Sequence, residues 1–170
     1  MLTRPIPAAA EPVTRPLLVG ESNPYGGDPY YALYPAPDGC SGHRLCCLIL
    51  GMSRSAYLAL FDRVNLCEGK WTIRKARAAA DDLTATPNRR IVLCGSKVAS
   101  AFGFGFFPFG VESFRGSAFL ILPHPSGLCR LWNEFGVIDM ARKAVAAFLP
   151  DVAPFLGVAP YCGVADRSNK

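Results

Sequence analysis

Residues 17–35 read LLVGESNPYGGDPYYALYP. Leu17, Leu18 and Val19 are apolar in succession, the pattern of a strand buried on both faces rather than one face only. The run stops at Gly20, and directly after it come a carboxylate (Glu21), a carboxamide (Asn23), Pro24 and the ring of Tyr25. A solvent-facing turn explains the glycines and the proline. It does not explain why polar groups and rings gather where a buried strand ends. In an open α/β sheet that place, beyond the carboxyl end of a strand, is where ligands bind.

Moving outward from this stretch, the same kind of strand recurs at Arg63–Cys67, Arg90–Gly95 and Ala118–Leu122. Helical composition falls between the strands: Arg44 to Leu50 behind a Ser41 cap, Ala56 to Phe61 behind Ser53, Thr72 to Thr84, and Lys97 to Phe102. A longer amphipathic helix is expected from Leu131 to Phe148. Strands alternating with helices predict an α/β protein, a three-layer α/β/α sandwich with a central, mainly parallel four-stranded sheet. At 170 residues and 51% hydrophobic composition, the chain can build one substantial core. Residues 1–15, with three prolines, are expected as an irregular arm; 16–160 as a single α/β domain; 161–170 as a polar tail.

Composition narrows the function classes. Charged residues make up 18%, too few for large disordered tracts. A net charge of +5 suits a polyanionic partner without requiring one. The seven cysteines are odd in number and contain no C-x-x-C, so neither a disulfide framework nor a zinc ribbon is indicated. Cys94 lies in an apolar run and reads as a small hydrophobe. No cofactor and no metal are expected; an iron–sulfur cluster on Cys40, Cys46 or Cys47, and Cys67 is the disfavoured alternative. A reducing cytoplasm fits best. The N-terminal segment lacks the apolar core of a signal peptide, and Asp151 and three prolines interrupt the apolar stretch 144–165, so no membrane partner is expected.

Three expected strands end in chemically rich loops: Glu21 and Asn23 after the first, Asn65 and Cys67 in the second, His124 after the last. Gly20-Glu21-Ser22-Asn23-Pro24-Tyr25 resembles the first motif of the uracil-DNA glycosylase superfamily, with one residue added between the glycine and the Asn-Pro pair. His124-Pro125-Ser126-Gly127-Leu128-Cys129-Arg130 resembles that superfamily's second motif, H-P-S. Val64-Asn65-Leu66-Cys67 is similar to the strand-end asparagine of its single-strand-selective branch. The three occur in the family's order and span most of the chain.

The resemblance implies a DNA N-glycosylase that hydrolyses the bond between a flipped pyrimidine and its sugar. His124 would donate to a base carbonyl as negative charge grows there. Asn23 or Glu21 would hold the attacking water. Asn65 would read the edge of the base, with Tyr25, Tyr31 or Tyr34 stacked on it. Ser126 and the Gly127 backbone would grip a phosphate, and Leu128 or Arg130 would fill the gap left in the duplex. No lysine stands in a motif position to form a Schiff base, so the resemblance implies a monofunctional enzyme. The partner would be DNA and the protein a monomer.

Two departures bear on specificity. The added residue leaves either Glu21 or Asn23 able to take the place of the water-holding group. The insertion from Gly26 to Gly39 should reshape the pocket mouth: Tyr25 in its family place implies uracil, and Tyr25 swung aside implies a bulky modified pyrimidine, such as a hypermodified phage base. Each residue also has an ordinary structural role open to it. The glycines and Pro24 suit a tight turn, Asn65 a loop cap, and His124 a backbone hydrogen bond. Arg130 can pair with Glu134, and the tyrosines can pin their loop to the core. The segment 102–110, alternating phenylalanine with glycine, reads as a hydrophobic plug rather than a lid. Two other classes stay open: a catalytically silent nucleic-acid or nucleotide-binding protein, and a hydrolase or transferase of free nucleosides.

Overall fold

The computed structural model describes residues 14–23 and 27–158. The expected arm and tail lie almost wholly outside the described residues, as do Pro24, Tyr25 and Gly26. The sheet has five strands, in the order β2-β1-β3-β5-β4. These are β1 (Leu17–Asn23), β2 (Asp62–Glu68), β3 (Arg90–Cys94), β4 (Val111–Phe114) and β5 (Ser117–Leu122). The pairs β1–β2, β1–β3 and β3–β5 are parallel. The four expected strands are all present and parallel; β4 is the addition, antiparallel to β5 at the sheet edge.

Why β4 escapes the sequence is local. It follows the Phe/Gly segment, three of its four residues are exposed, and no alternating pattern marks it. Its signal is the turn: Arg115 and Gly116 both have positive φ (48° and 78°) between the paired Phe114 and Ser117. That is the two-residue hairpin geometry usually announced by Asn-Gly or Asp-Gly, and Arg-Gly announces it weakly.

The central strands explain the three layers. Along β1, β3 and β5, alternate side chains enter two separate cores. On one face Leu18, Val92, Cys94, Leu120 and Leu122 pack against α1 (Ser41–His43), its π-helical continuation Arg44–Ile49, α2 (Arg54–Leu60) and α5 (Val137–Phe148). On the other, Leu17, Val19, Ile91, Leu93, Phe119 and Ile121 meet α3 (Ile73–Thr84) and α4 (Ser96–Ala101). Cys94 is fully buried, and burial pushes its thiol up to about 12, the inert behaviour of a packing residue. The cysteines of the disfavoured cluster are divided: Cys46 and Cys47 lie in the first core and Cys67 in the second.

The helix expected over 131–148 is two elements. A 3₁₀ turn, Arg130–Asn133, precedes α5, and Gly136 with φ 78° separates them. In the segment 102–110, Phe104 packs on Phe102 and Phe119, while Phe109 meets Trp132. Of the phenylalanines there, only Phe106 and Phe107 stand at the surface. No helix among the described residues is long and apolar enough to cross a membrane.

Candidate functional site

From β1 the chain crosses to β2 on one side and then returns past β1 to β3 on the other. The connections on either side of β1 therefore run in opposite directions, which opens a crevice beyond the carboxyl ends of β1 and β3. Glu21 enters from the end of β1, Lys97 from the first turn of α4 after β3, and His124 from the turn after β5.

These three side chains meet. Lys97 Nζ donates to Glu21 Oε1 at 2.6 Å, and Glu21 Oε2 lies 3.9 Å from His124 Nε2. The Lys97 ammonium also stands 5.8 Å from the centre of the Trp71 ring, a cation–π contact. Glu21 is mostly sheltered and Lys97 mostly exposed.

The His124 turn is anchored from three directions. The Ser126 backbone N–H donates to His124 Nδ1 at 3.1 Å. Trp132 Nε1 donates to the His124 carbonyl at 2.8 Å, and Arg44 Nε to the Pro125 carbonyl at 3.1 Å. On its inner side the imidazole rests against Gly95. A Cβ there would stand 3.1 Å from both Cβ and Cδ2 of His124, and φ of 111° at this position is itself a glycine conformation.

The first of these bonds fixes the tautomer. A backbone N–H can only donate, so Nδ1 must present a lone pair, and the proton of the neutral ring sits on Nε2. Burial holds the His124 pKa below its ordinary value; the neighbouring Glu21 opposes that effect and Lys97 adds to it. At neutral pH the ring is therefore an uncharged Nε2–H donor aimed into the crevice beside Glu21.

The other expected site residues are placed as follows. Asn23 ends β1, two residues beyond Glu21 on the same face of the strand. Asn65 pairs in register with Gly20, and its Oδ1 packs so closely over Gly20 that a Cβ there would overlap it. It shares that space with Leu33, on the face of β1 opposite to Glu21.

Tyr31 and Tyr34 join Tyr30 in a cluster with centroids 5.2–5.5 Å apart. The Arg63 guanidinium lies over Tyr30 and Tyr34 at 5.9 and 5.4 Å. Arg63 is level with Leu18, two residues upstream of Asn65, so this cluster flanks the early part of β2. Its contacts are those of rings pinning their loop. Ser126 is half-buried, while Gly127, Leu128 and Arg130 are exposed. Among the described residues Arg130 makes no ion pair with Glu134, so the pairing open to it from the sequence is not formed.

Lys97, Trp71, Trp132 and Arg44 were not legible as site residues. Lys97 carried the one usable signal: it follows the apolar strand Ile91–Cys94 by three residues, at the second strand end of the switch point. Among the described residues no group of three or more His, Cys, Asp and Glu side chains is placed to hold a metal ion. The fold and site thus define an α/β protein with a carboxylate, an ammonium and a neutral imidazole at its switch-point crevice. No family model matches the chain, and no curated protein matches it significantly.

Proposed function

We propose that the protein is a monofunctional DNA glycosylase, acting as a monomer in the cytoplasm on a flipped uracil or modified pyrimidine and leaving an abasic site. The observation that carries this is the neutral His124, with its Nε2–H held 3.9 Å from the Glu21 carboxylate at the crevice. As the bond between base and sugar breaks, its electron pair moves onto the base, and the sugar gains oxocarbenium character. An uncharged donor at the base carbonyl stabilises that negative charge in the transition state without a permanent charge in the ground state. Glu21 orients a water towards the sugar carbon and accepts its proton as the new C–O bond forms.

Lys97 holds the carboxylate in place. Its ammonium is engaged by the carboxylate at 2.6 Å, which supports a single hydrolytic step without strand cleavage. Leu128, 92% exposed four residues after His124, is the apolar side chain available to fill the space vacated by the base. The inserted segment between Gly26 and Gly39 favours a modified pyrimidine over uracil, and with it a role in defence against phage rather than in repair.

The test is mass spectrometry of bases released from unmodified, uracil-containing and hypermodified phage DNA. Free base with an intact strand is expected from one of the latter two. Release should be lost in His124→Ala and Glu21→Gln and reduced in Asn23→Ala. Turnover of free nucleosides but not of DNA would replace this reading with a nucleoside hydrolase.

A further inference from the structure

We propose that Arg44 is a docking point for a DNA backbone phosphate, seated beside the His124 turn. The inference rests on the glycosylase reading and assigns it a contact that none of the three motifs contains. Arg44 opens the π-helical segment on the face opposite α4, and its Nε donates to the Pro125 carbonyl at 3.1 Å. That bond lays the guanidinium alongside Gly127: its Cζ and Nη1 are each 3.9 Å from where a Cβ on Gly127 would stand. Gly127 is exposed and has no side chain to cover them.

A guanidinium has five N–H donors, and this one uses only Nε within the described structure. The other half-buried arginines are differently placed. Arg89 pairs with Asp62, Arg142 donates Nε and Nη2 to the carbonyls of Ile49 and Leu48, and Arg63 donates to Ala32 beneath two tyrosine rings. The terminal nitrogens of Arg44 make no hydrogen bond and no ion pair among the described residues. A half-buried cation is costly to leave uncompensated, and a phosphate accepts two parallel N–H bonds from a planar fork. The opening lies against the turn that carries His124, so the phosphate bound there is one adjoining the extruded nucleotide. Arg44 thereby couples grip on the strand to the position of the imidazole, through Pro125.

The experiment is a salt titration of binding to a duplex carrying a tetrahydrofuran abasic-site analogue, a probe independent of which base is excised. A phosphate contact contributes about 0.9 to the slope of log K against log salt. Arg44→Gln should make the slope shallower by about that amount, and Arg44→Lys should retain it. Gly127→Glu, which sets a carboxylate beside the guanidinium and leaves the Pro125 bond intact, should reproduce the loss and serves if Arg44→Gln does not fold. A residue that only braced the turn would weaken binding with the slope unchanged. That result, in a folded variant, overturns the inference while base release by the wild type keeps the glycosylase reading standing. A wild type with no salt-dependent affinity for the duplex overturns both.

Discussion

His124 is uncharged at neutral pH because it is enclosed, and the bond from Ser126 decides which nitrogen carries its proton. A depressed imidazole pKa means that folding favours the neutral ring. Its contribution to stability is therefore complete above about pH 6.5, where the unfolded residue is also neutral. It is lost as the pH falls through the window between that value and the lower folded one. Protonation also places a second donor against the Ser126 N–H, so the turn and the donor role proposed for His124 fail together. Base release should hold steady from neutral pH down to below pH 6.5 and then fall, and His124→Gln, whose side-chain donor does not titrate, should lack that limb while being slower throughout; pH–rate profiles under single turnover check this. At Glu21 the expectation is a loss of roughly 10²–10³-fold in single-turnover rate for Glu21→Gln, larger than for Asn23→Ala. Stability should change by no more than about 1 kcal/mol, because the partner ammonium is well exposed. Equal losses at the two positions would return the water-holding role to the open question the sequence leaves. His124 and Glu21 were legible because each follows an apolar run at a strand end. Lys97 was not, since a lysine in the first turn of a short helix is ordinarily solvated, and its value here comes from Glu21 on the neighbouring strand β1, not from its neighbours in sequence.

At the scale of elements, the strands and their parallel order followed from composition because β1, β3 and β5 are buried on both faces and so carry near-continuous apolar runs. Elements set by backbone detail did not show. The hairpin that makes β4 turns on positive φ at Arg115, the break before α5 on positive φ at Gly136, and the π-helical segment on hydrogen bonds such as Leu50 N–H to the Leu45 carbonyl. None of these leaves a hydrophobic period. The junction of β3 and α4 joins both kinds of information, since Gly95 has φ 111° and ψ 159°, supports His124, and donates its N–H to the Leu122 carbonyl at 2.8 Å. That backbone region is essentially restricted to glycine. Gly95→Ala should cost about 1–3 kcal/mol from strain alone, read from urea unfolding. It should also displace the imidazole, so release should fall further than the lost folded fraction explains. Gly116→Ala in the hairpin is the control: it too strains a positive φ, of 78°, but at the end of β5 opposite to the His124 turn, and should lower stability while sparing the rate of the folded protein.

At the scale of the whole molecule, one end of the sheet gathers the imidazole turn, the sheltered Glu21 carboxylate, the partly uncovered Arg44 and an apolar side chain projecting into solvent. Leu128 gives the sharpest test of whether that assembly serves an extruded nucleotide. It is 92% exposed, so Leu128→Ala removes almost no buried surface and should change stability by less than about 0.5 kcal/mol. If the side chain fills the gap in a duplex, its loss lets the vacated stack close and the base return. Excision from duplex DNA should then drop by at least about tenfold, since expelling a base costs a few kcal/mol that the wedge offsets in part. A single strand has no opposing partner and no stack to hold open, so there the same substitution should matter little. Single-turnover rates on matched single-stranded and duplex substrates give the comparison directly. Equal loss on both would make Leu128 a contact to the sugar or base rather than a wedge. No loss on either would leave the exposed leucine without a part in DNA binding, and would shift the grip on the strand to Arg44 and the backbone of the Ser126–Gly127 turn.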